Sequence, residues 1–219
     1  MIFYGHLGLG DHLILNGLVR ELAKKERVIV LCKPHNAVSC RFMWRDNTWI
    51  KVHEVADDVD ARENCAMVEQ FVPDVVRNGM HKVGDTFDFY QWDKEFYRHA
   101  GLDFDLSWRG FKVDRDLRQE ETTLPVHDYA FIHDDPERGY VIDESHITKG
   151  LVKFRPNKLH PNLFTWCEAI ERATEIHCIE SCFAILADRI PTTATRLVVH
   201  AYVRKSIAPT YKKSWEVLR

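Results

Sequence analysis

Long apolar runs are missing from this chain. No stretch approaches the roughly twenty residues that a membrane-spanning helix needs, so no membrane span is expected. An excess of positive charge is missing too: the net charge is −3, and the basic residues fall in clusters no longer than Lys24-Lys25 and Lys212-Lys213. Nucleic acid and anionic membranes are therefore not expected as partners. The six cysteines (Cys32, Cys40, Cys65, Cys167, Cys178 and Cys182) form no CxxC pair, and Cys178 and Cys182 lack the partner spacing of a zinc site. They fit free, buried thiols in a reducing compartment. The start of the chain has no basic flank leading into a signal-type apolar core, from which a cytoplasmic location is expected. No low-complexity segment and no sequence repeat interrupts an otherwise ordinary soluble composition of 45% hydrophobic and 29% charged residues.

What is present is a glycine turn between a strand and a helix. Met1-Ile2-Phe3 suits a short buried strand, and Tyr4-Gly5-His6-Leu7-Gly8-Leu9-Gly10-Asp11-His12 follows it. Leu15, Leu18, Val19 and Leu22 then recur at three- and four-residue steps, which predicts a helix from Leu13 to Lys25. Strand, glycine turn and helix make the first half of a βαβ unit. Glycines let a ligand approach the backbone, and the amides of a helix start favour an anion such as phosphate. The spacing is not the Gly-x-Gly-x-x-Gly of dinucleotide folds, because Gly5, Gly8 and Gly10 all precede the expected helix. Asp11 then has two readings: an N-cap for that helix, or a carboxylate that takes a proton from an acceptor hydroxyl.

Further on, strands and helices alternate. Arg27–Cys32, Ile50–Val55 and Val72–Arg77 read as strands; 35–45 and 57–71 read as helices, with Gln91–Ala100 a helix ended by Gly101. Residues 102–119 show no clear period, and a boundary is expected near Leu117–Val126. A second alternating half follows, with strands at Asp128–His133, Leu151–Arg155, Glu175–Ile179 and Arg196–His200. Helices are expected at Asn162–Ala173, Ser181–Ile190 and Tyr211–Arg219. The pattern predicts an α/β protein with parallel strands in both halves.

Two stretches carry a resemblance. Tyr4 to Arg20 resembles the opening of heptosyltransferase-like sugar transferases, whose first strand ends in a Gly-Asp pair before a helix; the pair here is Gly10-Asp11. Glu175-Ile176-His177-Cys178-Ile179-Glu180-Ser181-Cys182-Phe183-Ala184 is similar to the strand-to-helix turn that contacts the donor in several two-Rossmann (GT-B) glycosyltransferases. A fainter likeness is to the small glycosyltransferase domains of large algal viruses, which include rhamnosyltransferases. The resemblance implies a compact GT-B fold, two small Rossmann-like βα domains facing one cleft. Residues 1–120 would form the acceptor side and residues 121–219 the nucleotide-sugar side.

It also implies a reaction: inverting, metal-independent transfer of a sugar from a UDP- or GDP-type donor to a glycan hydroxyl, without a cofactor. The sugar suggested is a deoxyhexose such as L-rhamnose. Asp11 would be the general base, with Gly8, Gly10 and His12 on the acceptor side or in a phosphate loop. Donor contacts would come from Glu180, Ser181, Cys182 and Phe183, where helix amides meet a diphosphate. Glu180 is alternatively a helix-start carboxylate favoured by the dipole. His133 ends a strand, and Arg138 on the next loop suits a bidentate phosphate contact or a surface turn. Lys153 and Arg155 share a strand face, toward the donor or toward solvent. His177 reads as a core histidine, while His200, Tyr202 and Arg204 alternate after the last strand. Asp134-Asp135 lacks a third ligand at a telling spacing, so no metal is expected. Two other classes remain: a nicotinamide-dependent Rossmann oxidoreductase, disfavoured by the glycine spacing and by Lys33 after the second strand, and a non-catalytic sugar-binding module.

Overall fold

The computed structural model describes all residues except 72–73, 122–124, 126, 158–159 and 205–207. The chain divides into two compact units, Met1–Asp114 and Arg115–Arg219. Of the expected boundary stretch, residues 122–124 and 126 lie outside the described residues; its first part is a short helix, α6 (Leu117–Glu121).

The first unit is built on four parallel strands: β1 (Ile2–Tyr4), β2 (Val28–Cys32), β3 (Ile50–Glu54) and β4 (Val75–Arg77), in the order β3-β2-β1-β4. Pairing is regular, with Ile2 opposite both Ile29 and Val75. Part of the expected fourth strand, residues 72–73, lies outside the described residues. Helix α1 runs over Leu9–Leu22, α2 over Ala37–Trp44, α3 over Asp58–Glu69 and α4 over Trp92–His99. Asp57 caps α3, its carboxylate accepting the amides of Val59 and Asp60. Gly101, at φ +66, ends the turn after α4.

Helix α1 carries the core of this unit, with Leu13, Ile14, Leu15, Leu18 and Val19 all buried. Each such side chain contributes about 1.5–3 kcal/mol relative to exposure. The stretch without a period forms α5 (Leu106–Arg109) and then crosses α1 closely. A β-carbon on Gly17 would collide with the carbonyl of Leu106, and Gly110 lies against the same spot. Beside this contact Asn16 holds Lys112 from both sides, accepting its amide at 3.0 Å and donating to its carbonyl at 3.2 Å. This segment has no apolar period because a pair of glycines and a buried asparagine fix it.

The second unit is a five-stranded parallel sheet. Its strands are β5 (Tyr129–His133), β6 (Val152–Phe154), β7 (Glu175–Ile179), β8 (Arg196–His200) and β9 (Glu216–Leu218), in the order β6-β5-β7-β8-β9. Helices α7 (Cys167–Glu171) and α8 (Cys182–Arg189) complete it. The expected terminal helix over Tyr211–Arg219 is not what forms: Glu216–Leu218 pairs in parallel with Val198–His200. The turn before it is pinned on Asp188, whose carboxylate accepts the amides of Lys212 and Lys213 and the indole N–H of Trp215. Those three bonds feed the chain to the open edge of β8, which offers its backbone groups to a strand. Arg115 ties α6 to α7, bonding Glu120 at 3.0 Å and Glu171 at 2.6 Å.

The chain therefore has an α/β fold with two separate, wholly parallel sheets. Each sheet reverses direction once. In the first unit the chain adds β2 and β3 on one side of β1 and then returns to place β4 on the other. In the second it adds β6 beside β5 and then β7, β8 and β9 on the opposite side. Such reversals leave a crevice at the carboxyl ends of the two diverging strands, between β1 and β4 and between β5 and β7.

Candidate active site

At the reversal in the first unit, β1 exits through Gly5-His6-Leu7-Gly8 into α1. The loop is held from below by Asn36, which donates to the Leu7 carbonyl at 3.0 Å. Asp11 sits in the first turn of α1, but the N-cap is Gly8, which makes no side-chain capping bond. The helix starts four residues earlier than the leucine pattern alone indicates, because His12 N–H already reaches the Gly8 carbonyl at 3.1 Å. Asp11 is thus not the cap. Its carboxylate turns back over the loop, and a β-carbon on Gly8 would collide with its Oδ2. The other oxygen, Oδ1, lies 4.0 Å from Nδ1 of His6.

His6 is the residue of this site that the sequence reading misses. The exit of β4 brings Met80, whose N–H donates to His6 Nε2 at 3.2 Å. The imidazole stands edge-on to Phe96 at 4.7 Å and to His81 at 5.4 Å. Gly79, at φ +63, lets the chain pass: a β-carbon there would sit 2.7 Å from His6 Nε2. Gly10 lies in the first turn of α1. His12 points away from this group into the interior, 1% exposed and edge-on to Trp44. Among the described residues neither of its ring nitrogens has a hydrogen-bond partner, and burial pulls its pKa down to about 4.

At the reversal in the second unit, His133 ends β5 and Ser181 precedes α8. The Ser181 hydroxyl and His133 Nδ1 are hydrogen-bonded at 2.9 Å, and the ring stacks on Phe183 with centroids 4.1 Å apart. Burial holds the His133 pKa down to about 4, so the ring is neutral at pH 7. Ser181 occupies the N-cap position yet makes no capping bond, which leaves the leading amides of α8 without a side-chain partner from the cap. Cys182 is only half-buried by surface, but its thiol is packed well enough for burial to push its pKa up to about 12. It is a thiol, not a thiolate nucleophile.

The structure places the other expected donor residues differently from one another. Both carboxylate oxygens of Glu180 accept backbone amides, from Val203 at 2.9 Å and Arg204 at 2.8 Å, so Glu180 anchors the chain leaving β8. Arg138 is largely exposed and bonds Asp135 at 2.6 Å in a turn closed by Gly139 in the left-handed region. Arg155 bridges Asp134 at 3.1 Å and Glu144 at 3.0 Å, and Lys153 pairs with the same Glu144. These three cations therefore form ion pairs within the unit.

A further polar line runs across β7 and β8. Glu175 accepts Thr148 N–H at 3.1 Å and lies 3.1 Å from His177 Nε2; His177 Nδ1 is 3.2 Å from His200 Nε2, and His200 Nδ1 is 3.3 Å from the Tyr202 hydroxyl. Both histidines are wholly buried, and burial lowers their pKa values, that of His200 to about 4. The alternation of strand residues shows only that they share a face; the continuity of the line requires Thr148 and the diagonal reach between strands. Among the described residues no group of three or more histidine, cysteine or acidic side chains could hold a metal, and no helix is long and apolar enough to cross a membrane.

No model of a known protein family and no curated protein sequence matches the chain. Among solved structures it is similar to the glycosyl transferase family 9 protein from Veillonella parvula DSM 2008, with a TM-score of 0.59 and 10% sequence identity over 99% of this chain and 86% of that one. At that identity the likeness establishes the fold, a two-unit, Rossmann-type arrangement of the kind seen in GT-B proteins.

Proposed function

We propose that the chain is a glycosyltransferase that moves a sugar from a nucleoside diphosphate to a hydroxyl of a glycan acceptor. The fold likeness supports the class, and the heptosyltransferase-like Gly10-Asp11 pair supports the side on which each substrate binds. The observation that carries the reading is the Asp11 carboxylate, bent over Gly8 at the point where β1 and β4 diverge. An acceptor hydroxyl placed there gives its proton to Asp11 as its oxygen attacks the anomeric carbon. The bond from that carbon to the diphosphate breaks, and its electron pair leaves with the nucleoside diphosphate. One displacement of this kind inverts the anomeric centre.

In the second unit the leading amides of α8 and the Ser181–His133 pair are suited to the leaving diphosphate. Arg138, Lys153 and Arg155 each hold a carboxylate partner, and a phosphate would share or replace it. A helix start and basic side chains can neutralise the leaving group without a metal or a cofactor. For the donor, UDP or GDP fits this chemistry equally, and L-rhamnose rests on the algal-virus likeness alone.

Thermal-shift measurements with UDP, GDP, their sugar conjugates and nicotinamide dinucleotides test the donor class. Stabilisation by a dinucleotide and not by nucleotide sugars would overturn the reading in favour of an oxidoreductase. Binding of a nucleotide sugar without turnover would favour a sugar-binding module. Asp11→Asn should keep donor affinity and lower turnover by roughly a hundred- to ten-thousandfold, the usual loss with a general base. Wild-type turnover in that variant would remove Asp11 from the chemistry, and a product that retains the donor configuration would exclude a single displacement.

A further inference from the structure

We infer that His6 is a positioning residue for Asp11: it is held as the neutral tautomer protonated on Nδ1, and that N–H orients the Asp11 carboxylate and keeps it ionised. The inference rests on the reading of Asp11 as the general base. It starts from the Met80 amide. A backbone N–H can only donate, so its contact with His6 Nε2 at 3.2 Å requires a lone pair on that nitrogen. A neutral imidazole with a lone pair on Nε2 carries its proton on Nδ1. Nδ1 is the nitrogen that faces Asp11 Oδ1, at 4.0 Å. The same contact disfavours the imidazolium, whose Nε2 would present a proton to the Met80 N–H.

The ring is fixed as well as its tautomer. Phe96 at 4.7 Å, Phe87 at 5.7 Å and His81 at 5.4 Å pack around it, and Gly79 gives it room. On the other side, Asp11 Oδ2 occupies the place that a side chain on Gly8 would fill. A small rotation of the carboxylate closes the gap to the ~2.8 Å of a bond to an ionised acceptor. Catalytic hydrogen bonds commonly tighten in this way when substrate binds. A donor aimed at the ionised form lowers the pKa of a carboxyl group. His81 also faces His6; its own pKa is lowered by burial, and Asp58, Arg77 and Arg62 act on it with opposing signs.

With Nδ1 protonated and Nε2 engaged, His6 has no free lone pair with which to take the acceptor proton. His6 is therefore not the base and acts through Asp11.

The test needs no substrate. Nitrogen NMR of the full chain should find Nε2 of His6 without a proton and Nδ1 with one at neutral pH. Carbon NMR should follow the Asp11 carboxyl in the wild type, in His6→Phe, which keeps a ring among Phe87, His81 and Phe96, and in His6→Asn, which keeps an N–H at the Nδ1 position. Asp11 should titrate higher in His6→Phe by about half a pH unit or more, the direction expected when a hydrogen bond to the charged form is lost, and His6→Asn should restore part of the shift. An unchanged Asp11 titration in a folded His6→Phe, or a proton on Nε2, overturns the inference. If His6→Phe fails to fold, the tautomer and the His6→Asn titration decide alone. If the pair titrates together while Asp11→Asn still transfers sugar at the wild-type rate, the coupling stands and the general-base reading fails.

Discussion

The Ser181 hydroxyl lies 2.9 Å from Nδ1 of His133, so the residue at the head of α8 is bonded to the end of β5 and not to its own helix. The bond joins the two strands that diverge in the second unit, and it fixes the orientation of a neutral imidazole stacked on Phe183.

Ser181→Ala removes a partner from His133 without removing a helix cap. Urea unfolding should show a loss of about 1–3 kcal/mol, the cost of leaving a largely buried polar group unpaired. Combining it with His133→Phe, which removes the orphaned nitrogen, should cost less than the two single changes added together. Additive losses would mean that the bond contributes nothing.

Gly8→Ala separates site geometry from folding. Gly8 has φ −73 and ψ 145, which alanine adopts freely, so the backbone is not strained by the change. The new methyl group occupies the space of Asp11 Oδ2. Thermal stability should stay close to wild type while turnover falls. Wild-type turnover would show that the carboxylate works from another position.

Gly17→Ala should do the reverse. Its β-carbon meets the Leu106 carbonyl, a backbone atom that cannot swing aside as a side chain can. Overpacking of this kind costs about 1–3 kcal/mol, and here the crossing of 106–112 over α1 must shift to relieve it. Calorimetry should find a lowered melting temperature; an unchanged one would show that α5 moves at little cost.

Acid should destabilise the fold before its carboxylates are titrated. Burial holds His12, His133 and His200 near a pKa of about 4, below the ordinary value of 6.5. The unfolded chain therefore binds these protons first. Stability is complete above pH 6.5 and declines as pH falls toward 4, with an upper bound of about 3 kcal/mol for a shift of this size at each of the buried His12 and His200. Urea midpoints at a series of pH values measure the decline. His12→Leu should flatten it, because the apolar side chain has nothing to protonate; an equally steep decline in that variant would exclude His12 as a source.

Much of the fold is legible in the sequence, for a physical reason. A largely buried strand reads as a continuous apolar run, and Val28–Cys32 does so with only Ile29 exposed; β7 and β8 fall at Glu175–Ile179 and Arg196–His200. The edge strand β9 escapes because its sequence is half exposed and its place is fixed by Asp188, a side chain on α8. The site divides in the same way. The glycine turn before Asp11 is a local signal. The partner that fixes His6 is not, since Met80 lies 74 positions away and enters after a strand of three residues. The bond between Ser181 and His133 spans 48 positions. Chemistry assembled at a sheet reversal depends on strand order, which no stretch of sequence contains by itself.

That strand order also sets when the site comes into being. Every pairing in the two sheets is parallel, so among the described residues no strand can zip to its neighbour through a tight hairpin. Long loops must close before each contact rewards them, which makes such folding slow. Gly8 and Asp11 can adopt their local geometry as soon as α1 forms, but His6 gains a fixed tautomer only when β4 docks against β1 and delivers the Met80 amide. Because β4 is a three-residue edge strand, its opening costs less than unfolding the unit. Each such opening frees the imidazole to exchange its proton between nitrogens, so the lifetime of the ordered pair is the residence time of that strand on the sheet.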